Sequence, residues 1–209
     1  SMVRDEPSGR VTEVTAALRA AGCVFAEDEA ALLVAAADDD AALDRLVARR
    51  VAGEPLEQVL GWAELDGVRV SVAPGVFVPR RRTRVVVRHA ARAVRARLAA
   101  GGPALVVDLC CGTGAVGTAL LARLGPDAAR VELHAADVDP AAVACARSNL
   151  PTAHVHEGDL WDALLARLAG AVDVAAVNAP YVPTQAIATM PTADDETLFL
   201  SVMICTHRV

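Results

Sequence analysis

Apolar residues recur at helical spacing near the start of the chain. Val14 and Leu18 are four residues apart, and so are Leu43 and Val47. Residues with this spacing lie on one face of a helix, so the pattern predicts helices that pack against each other. We expect a small helical domain over residues 1–52.

The period of the apolar pattern changes between residues 53 and 79. Val68, Val70 and Val72 alternate with polar residues, and glycine and proline punctuate the segment. Alternation with a period of two is typical of a half-buried strand. Residues 53–79 are therefore predicted to form a β-hairpin that links two domains.

Short apolar runs alternate with helical segments in the rest of the chain, residues 80–209. The strand-like runs are Ala104–Leu109, Val131–Ala136, His154–Glu157 and Val172–Val177. The helical segments between them are Val116–Leu124, Ala141–Asn149 and Leu160–Leu168. Strand followed by helix, repeated, predicts a doubly wound α/β domain with a parallel sheet and right-handed crossovers. Such a sheet binds its ligand beyond the carboxyl ends of the strands.

Composition and charge exclude several classes of protein. Hydrophobic residues make up 54% of the 209 residues, yet no apolar run reaches the roughly 18 residues that span a bilayer. The first residues, Ser1 to Asp5, lack the apolar region of a signal peptide. The five cysteines are an odd number without a C-x-x-C pair, which indicates neither a zinc site nor a disulfide framework. We expect a cytoplasmic protein with no membrane partner.

Eight arginines and no acidic residue lie between Arg80 and Arg97. Four of them recur at helical spacing on one face: Arg84, Arg88, Arg92 and Arg95. The net charge of −6 argues against broad attraction to nucleic acid. The arginines are either the solvated face of a core helix or a contact for RNA or an acidic partner.

A glycine-rich turn, Asp108-Leu-Cys-Cys-Gly-Thr-Gly114, follows the first strand of this domain. Glycine lets a backbone pass close to a bound cofactor, and we assign this role to Gly112 and Gly114. Asp108, at the end of the strand, would order the turn or meet an ammonium group of the cofactor through water. Cys110 and Cys111 are interpreted as small residues that fill space beside the turn, with a reactive thiol as the alternative.

Acidic residues also end the second and third strands. Asp137 is placed to accept hydrogen bonds from both hydroxyls of a ribose. Asp159 is placed to accept one from an adenine amino group, with Leu160 and Trp161 packing beside the ring. Together with the glycine turn, these residues predict a site for an adenosine-containing cofactor.

The segment Asn178-Ala179-Pro180-Tyr181 directly follows the fourth strand. A planar amide or ring-amine nitrogen attacks a methyl group on sulfur only when its N–H groups are held and aimed. The Asn178 side-chain oxygen and the Ala179 carbonyl can each accept one N–H, Pro180 restricts the backbone, and Tyr181 packs against the flat group. The segment predicts methyl transfer to a planar nitrogen, with S-adenosylmethionine as the cofactor.

A dinucleotide-dependent dehydrogenase is the competing interpretation of the turn. Gly112-Thr-Gly114-Ala-Val-Gly117 matches G-x-G-x-x-G, and Asp137 lies 20 residues beyond Gly117. Against it, the carboxylate of Asp108 would repel a pyrophosphate. A dehydrogenase also has no need for the segment that begins at Asn178.

Acidic and histidine residues near the third strand do not predict a metal site. They are His154, His156, Glu157 and Asp159. Alternating histidines on a strand before a loop are typical of a surface face, and no metal ligand is assigned.

The chain resembles the HemK-like protein glutamine methyltransferases from about Val14 to Pro191. Besides the glycine turn and the segment at Asn178, it has Gly53-Glu-Pro-Leu-Glu-Gln-Val-Leu-Gly61, similar to that family's linker, and Val78-Pro79-Arg80, similar to the stretch that enters its catalytic domain. The linker is the more specific match, because adenine methyltransferases share the turn and the Asn-Pro-Pro-Tyr motif.

The resemblance implies a Rossmann-like class I methyltransferase sheet, a substrate-recognising helical domain, and methylation of the glutamine of a Gly-Gly-Gln motif in a peptide chain release factor. It implies cofactor contacts at Asp108, Cys110, Gly112, Thr113, Gly114, Asp137, Val138, Asp159, Leu160 and Asn178. It implies acceptor contacts at Asn178, Ala179, Pro180 and Tyr181.

The chain departs from the family at several positions. Ala179 replaces the first proline of the motif, Cys110 replaces the first glycine of the turn, and Arg82 and Arg84 stand where acidic residues are usual. An adenine-N6 nucleic-acid methyltransferase and a catalytically dead fragment that binds S-adenosylmethionine remain as alternative functions.

Only 28 residues follow Tyr181, fewer than the remaining strands of this fold normally require. The tail after Asp194-Asp195-Glu196 does not resemble the family. The tail is interpreted either as one more strand beside the fourth or as a foreign ending, and both leave the sheet short with an exposed edge. We expect a truncated enzyme that either forms a homodimer through this edge or is only partly active.

Overall fold

The computed structural model describes residues 7–159, 168 and 170–178. The chain divides into two compact units, Ser1–Trp62 and Ala63–Val209. The predicted helix Leu160–Leu168 lies outside the described residues apart from Leu168. The predicted edge pairing of the tail lies outside them too.

The first unit consists of helices, and the apolar spacing predicts helices in residues 1–52, which hold the first three. The helices of this unit are α1 (Pro7–Ala20), α2 (Ala26–Ala36), α3 (Asp40–Val51) and the short α4 (Leu56–Leu60). Val14, Leu18, Leu33 and Leu43 are buried together at their centre. Burial of such side chains is the main force that holds short helices together.

A buried ion pair joins α2 to α3. The Arg50 Nε atom donates to the Glu29 carboxylate at 2.7 Å, and the Glu29 side chain is only 11% exposed. The hydrogen bond to Glu29 raises the pKa of Arg50 above its ordinary value. A charge with so little access to water needs this partner, so the pair specifies how the two helices meet.

The predicted hairpin is present as β1 (Trp62–Leu65) and β2 (Val68–Ser71). Its turn is Asp66-Gly67, and both residues have positive φ, 49° and 82°. This is the conformation of the two-residue turns that match the twist of a hairpin. The helix α4 precedes the hairpin inside the predicted linker, a helix that the linker's alternation did not indicate.

Beyond the hairpin, four described strands of the larger unit form one parallel sheet in the order β5-β4-β3-β6. They are β3 (Ala104–Leu109), β4 (Val131–Asp137), β5 (His154–Glu157) and β6 (Val174–Val177). The associated helices are α5 (Arg84–Ala99), α6 (Ala115–Leu124) and α7 (Pro140–Asn149), with 3-10 turns at Arg81–Thr83 and Gly125–Arg130. The predicted parallel α/β fold is confirmed, and β6 begins two residues later than its apolar run.

The strand order places the switch point of the sheet beside β3. The chain proceeds from β3 outward through β4 to β5, and β6 then pairs with the other side of β3. In parallel α/β sheets the ligand binds beyond the carboxyl ends of the strands at such a switch point, so a crevice is expected beyond the ends of β3 and β6. The glycine turn follows β3, and Asn178 follows β6.

The two faces of the sheet have separate apolar cores. Val106 and Leu133 pack with buried residues of α5 and α6, including Val87 and Leu120. Val107 belongs to the core of the opposite face, which also contains Leu168 and Val172. Burial on both faces explains why every residue of β3 except Asp108 is apolar.

No helix among the described residues is long and apolar enough to cross a membrane. Within the described part of the chain β6 lies at one edge of the sheet. The homodimer expected from an exposed edge stays a prediction.

Candidate active site

Strand register brings the ends of three strands together. Leu109 pairs with Ala136 on one side and with Val177 on the other. The residues that follow these positions are Cys110, Asp137 and Asn178, so all three lie at one edge of the sheet. The Asn178 backbone N–H points to the Leu109 carbonyl oxygen at 3.5 Å, the outer limit of a hydrogen bond. Sequence positions that are far apart thus meet at the switch point.

Two carboxylates anchor the glycine turn through its backbone. The Gly112 N–H donates to Asp137 Oδ2 at 2.8 Å, and the Gly117 N–H donates to Asp108 Oδ2 at 3.0 Å. Asp137 Oδ1 also accepts from the Asp139 N–H at 3.0 Å. Each carboxylate oxygen has two acceptor positions, so Asp137 keeps capacity for the ribose hydroxyls that the sequence analysis assigns to it.

Glycine is required at Gly114 in the turn and at Gly117 in α6 because neighbouring side chains leave no room for a Cβ. Gly114 has φ 75°, and a Cβ there would lie 2.9 Å from Leu150 Cδ1 and 3.2 Å from Ala146 Cβ. A Cβ on Gly117 would lie 3.0 Å from a methyl group of Leu133. These two glycines allow the turn to pack closely against its neighbours in the fold.

Gly112 is the glycine that faces open space. Its φ is 54°, and the nearest atom to a Cβ built there is the Phe77 carbonyl oxygen at 4.0 Å. The backbone of Gly112 is therefore the part of the turn that a ligand can approach. The same contact places Phe77, which precedes the Val78-Pro79-Arg80 stretch, beside the turn.

Cys110 also adopts a left-handed conformation, with φ 53°. The left-handed region of backbone conformation is unfavourable for a residue with a Cβ, which explains why the HemK-like family has glycine at this position. Burial raises the pKa of Cys110 and, more strongly, that of Cys111, because a thiolate is poorly solvated there. Both thiols are neutral at pH 7, which favours their interpretation as space-filling residues.

The pKa of Asp108 is strongly shifted from that of an ordinary aspartate. Burial, with a smaller effect from the neighbouring charge of Asp137, raises its pKa to about 7, although the Gly117 N–H opposes the shift. Its second oxygen, Oδ1, is buried and has no hydrogen-bond partner among the described residues. A buried acceptor without a partner is costly, so this atom is suited to a positively charged or hydrogen-donating ligand group.

The Asn149 side chain holds the glycine turn through hydrogen bonds, a role that the sequence did not indicate. Its side-chain nitrogen donates to the Thr113 carbonyl at 2.8 Å and to the Ser71 carbonyl at 2.9 Å. Its side-chain oxygen accepts from the Ser71 N–H at 2.9 Å. One amide therefore connects the end of α7, the hairpin strand β2 and the glycine turn. Thr113 itself is buried.

The remaining predicted site residues have fewer described contacts. Val138 is 68% exposed beside Asp137, and Asp159 is exposed after β5. Five predicted site residues lie outside the described residues: Leu160, Trp161, Ala179, Pro180 and Tyr181.

The arginine face lies on α5, as predicted. Arg84, Arg88, Arg92 and Arg95 are all exposed. Arg88 lies 3.7 Å from the Asp66 carboxylate, and Arg95 donates to a backbone carbonyl of α6 at 2.8 Å. Part of this face is thus engaged within the protein, and contact with RNA stays a prediction.

The sheet is parallel, and a glycine turn and acidic strand ends lie at its switch point. These features define an α/β enzyme domain that binds a nucleotide cofactor. The family model described as methyltransferase small domain matches residues 68–194. The chain belongs to this family and, within it, to the HemK-like proteins that the sequence analysis names. Family membership decides against the dehydrogenase alternative.

Curated proteins that are similar to this chain are named as methyltransferases. Release factor glutamine methyltransferase of Corynebacterium glutamicum is 37% identical over 142 residues, which cover 66% of this chain and 48% of the relative. The protein of that name in Bifidobacterium longum is 30% identical over 88% of this chain and 72% of its own length. A 4-amino-L-phenylalanine/4-methylamino-L-phenylalanine methyltransferase of Streptomyces pristinaespiralis is 41% identical over 66% of this chain and 46% of its own. The chain spans about half the length of most of the curated relatives it matches.

Proposed function

We propose that the protein transfers a methyl group from S-adenosylmethionine to the side-chain amide nitrogen of a glutamine, in the Gly-Gly-Gln motif of a peptide chain release factor. The names of its relatives support this acceptor. The observation that carries the proposal is the position of Asn178, which follows β6 directly beside the start of the glycine turn. An amide-binding residue and a cofactor-binding turn thus share one crevice.

The residues of the crevice fit the proposed cofactor. The buried Oδ1 of Asp108 lacks a partner among the described residues, and the cofactor carries positive charge on its sulfonium and ammonium groups. Gly112 leaves space for a ligand against the backbone, and Asp137 has acceptor positions for ribose hydroxyls. When bound, S-adenosylmethionine supplies the electrophilic methyl group.

Asn178 orients the acceptor nitrogen in this proposal. Its side-chain oxygen accepts one N–H of the glutamine amide, and the Ala179 carbonyl accepts the other, so the nitrogen faces the crevice. Tyr181 packs over the flat amide and keeps water away. Alignment of this kind lowers the activation barrier of methyl transfer, because the entropy cost of orienting the reacting atoms is met when the substrate binds.

Methyl transfer to a purified release factor tests the proposal. We expect the protein to add one methyl group to the glutamine of the motif, detected by mass spectrometry of the peptide. A release factor with alanine at that glutamine is the control substrate and should gain none. Calorimetric titration with S-adenosylmethionine, beside NAD, measures cofactor binding separately. Binding without transfer to any acceptor would contradict the proposed activity and support the dead-fragment alternative.

The variant Asn178→Ala separates the two steps. We expect transfer to be lost, because the acceptor is no longer held, while affinity for S-adenosylmethionine stays within about twofold, since Asn178 is only one of ten expected cofactor contacts. Loss of cofactor binding together with transfer would refute the role assigned to Asn178.

A free arylamine amino acid is a second candidate acceptor, because one relative at 41% identity is named for it. Its aryl amino nitrogen is conjugated with the ring and nearly planar, like an amide nitrogen, and requires the same alignment. Methylation of 4-amino-L-phenylalanine without methylation of the release factor would replace the protein acceptor with the small molecule. An adenine-containing DNA duplex in the same assay tests the nucleic-acid alternative.

A further inference from the structure

Four side chains with metal-binding atoms meet on β4 and β5, in the part of the larger unit that the described site does not use. Glu132 and His134 alternate along β4, and His154 and His156 alternate along β5. His134 is directly paired with His154 in the register. Residues two apart on a strand point to the same face, so all four side chains share one face of the sheet.

The contacts within this histidine cluster are short. His134 Nε2 lies 2.9 Å from Glu132 Oε1, and His134 Nδ1 lies 2.9 Å from His156 Nε2. The His134 and His154 rings stack with their centroids 4.7 Å apart. One ligand atom from each of Glu132, His134 and His154 lies within 4.8 Å of the other two.

Burial is unequal across the cluster. His134 is completely buried, whereas His154 is exposed and the Glu132 side chain is 44% exposed. An ion can therefore reach the cluster from the side of Glu132 and His154, and His134 would form the fixed inner wall. A buried imidazole held at both nitrogens has a defined orientation, which favours binding because little order is lost.

We propose that Glu132, His134 and His154 form a binding site for a divalent transition metal of the zinc class. Two imidazole nitrogens and one carboxylate oxygen are a ligand set that Zn²⁺ accepts, with a fourth position left for water. Hard ions such as Mg²⁺ prefer oxygen ligands and suit this set poorly.

Proton positions in the cluster support this assignment. A carboxylate only accepts hydrogen bonds, so the neutral His134 ring carries its proton on Nε2, toward Glu132. Binding of the ion at Nε2 would require the other tautomer of His134, with its one ring proton on Nδ1. His134 Nδ1 would then donate to His156 Nε2, whose own proton shifts to Nδ1 by exchange with solvent, and His156 would be the outer partner that orients the ligand ring.

This site is separate from the cofactor crevice and independent of the proposed function. Glu132 and His134 occupy the first half of β4, whereas Asp137 is its last residue. The alternation of His154 and His156 predicts a surface face without a metal ligand. His134 and Glu132 are not indicated by the sequence, because a single histidine in an apolar strand gives no signal until the neighbouring strand is paired with it.

Direct titration with Zn²⁺ tests the site. Tag-free protein, freed of metal with a chelator, is titrated by calorimetry, and we expect one equivalent to bind. Glu132→Gln and His154→Ala change exposed side chains, so both variants should fold, as circular dichroism verifies. Each should weaken binding by more than about tenfold, and His156→Ala should weaken it by about tenfold. Affinity should rise with pH, because the ion competes with protons for the imidazoles.

His89→Ala is the matched control, because His89 is an exposed histidine on α5 outside the cluster. We expect it to bind Zn²⁺ like the unchanged protein. Co²⁺ then reports the ligand type through its absorption spectrum, which should lack thiolate charge-transfer bands. Undiminished binding by His154→Ala and Glu132→Gln would overturn the proposal. Weaker binding by His89→Ala, or thiolate bands that place the ion on cysteine, would overturn it as well.

Discussion

The Asn149 side-chain nitrogen donates to the Thr113 carbonyl at 2.8 Å, so the last residue of α7 holds the glycine turn in place. The same amide makes two hydrogen bonds to the backbone of Ser71. The turn that we assign to the cofactor is therefore positioned by a residue that is not part of the turn itself.

Replacement of this residue tests that relationship. Asn149→Ala should lower the free energy of unfolding by about 1–3 kcal/mol, because three hydrogen bonds are lost and their partners are left behind. Affinity for S-adenosylmethionine should fall as well, since the turn loses its support. Urea denaturation and calorimetric titration measure the two effects. Ser148→Ala, an exposed change on the same helix, is the control and should stay within about 0.5 kcal/mol.

The left-handed backbone at Cys110 predicts a stabilising substitution. Cys110→Gly removes the Cβ from a residue with φ 53°, which costs an ordinary residue about 1–2 kcal/mol. Cys110→Ala also removes the thiol but keeps the Cβ, so it isolates the backbone effect. We expect the glycine variant to be more stable than the alanine variant by roughly 1 kcal/mol in chemical denaturation. Equal stabilities would show that the strain at this position is negligible.

Two glycines of the turn should respond differently to the same change. Gly114→Ala places a methyl group 2.9 Å from Leu150 and keeps an unfavourable φ, so it should destabilise the fold by about 2 kcal/mol or more. Gly112→Ala meets no atom closer than 4.0 Å, so its stability cost should be only the roughly 1–2 kcal/mol of a residue with φ 54°, and ligand binding should fall as well. Thermal unfolding and S-adenosylmethionine titration of both variants separate these outcomes. A larger loss of stability at Gly112 than at Gly114 would reverse the assignment.

The raised pKa of Asp108 predicts a pH-dependent stability. Its value is about 7 in the folded protein because of burial, whereas an unfolded aspartate has a pKa of about 4. Between these values the folded state binds more protons than the unfolded state, so stability falls as pH rises through this window. The loss is absent below the unfolded value, complete above pH 7, and at most about 4 kcal/mol.

Asp108→Asn isolates this contribution, because its side-chain oxygen can still accept from Gly117 and it has no charge. The free energy of unfolding of the variant should therefore depend less on pH between about 4 and 7. Urea denaturation of both proteins across this range gives the comparison. Parallel profiles would mean that Asp108 does not carry the shifted titration.

Hydrophobic periodicity by itself determined the helical character of residues 1–52, but not α4, and the alternation of strands and helices in the second unit. Local physics suffices there, since a helix or a buried strand shows its period in any short window. β3 and β5 have the predicted bounds, and the Asp66-Gly67 turn confirms the hairpin. The order of functional residues at the strand ends also follows from sequence, because carboxyl ends of parallel strands meet at one edge.

Only the tertiary structure decided which contact each of these side chains makes and therefore which role it has. Asn149 gained its role because α7 ends beside the glycine turn, and Gly114 and Gly112 differ because only one of them packs against α7. The histidine cluster exists because β4 pairs with β5 in one register, which brings His134 against His154. Contacts between distant segments depend on register and packing, and neither leaves a period in the chain.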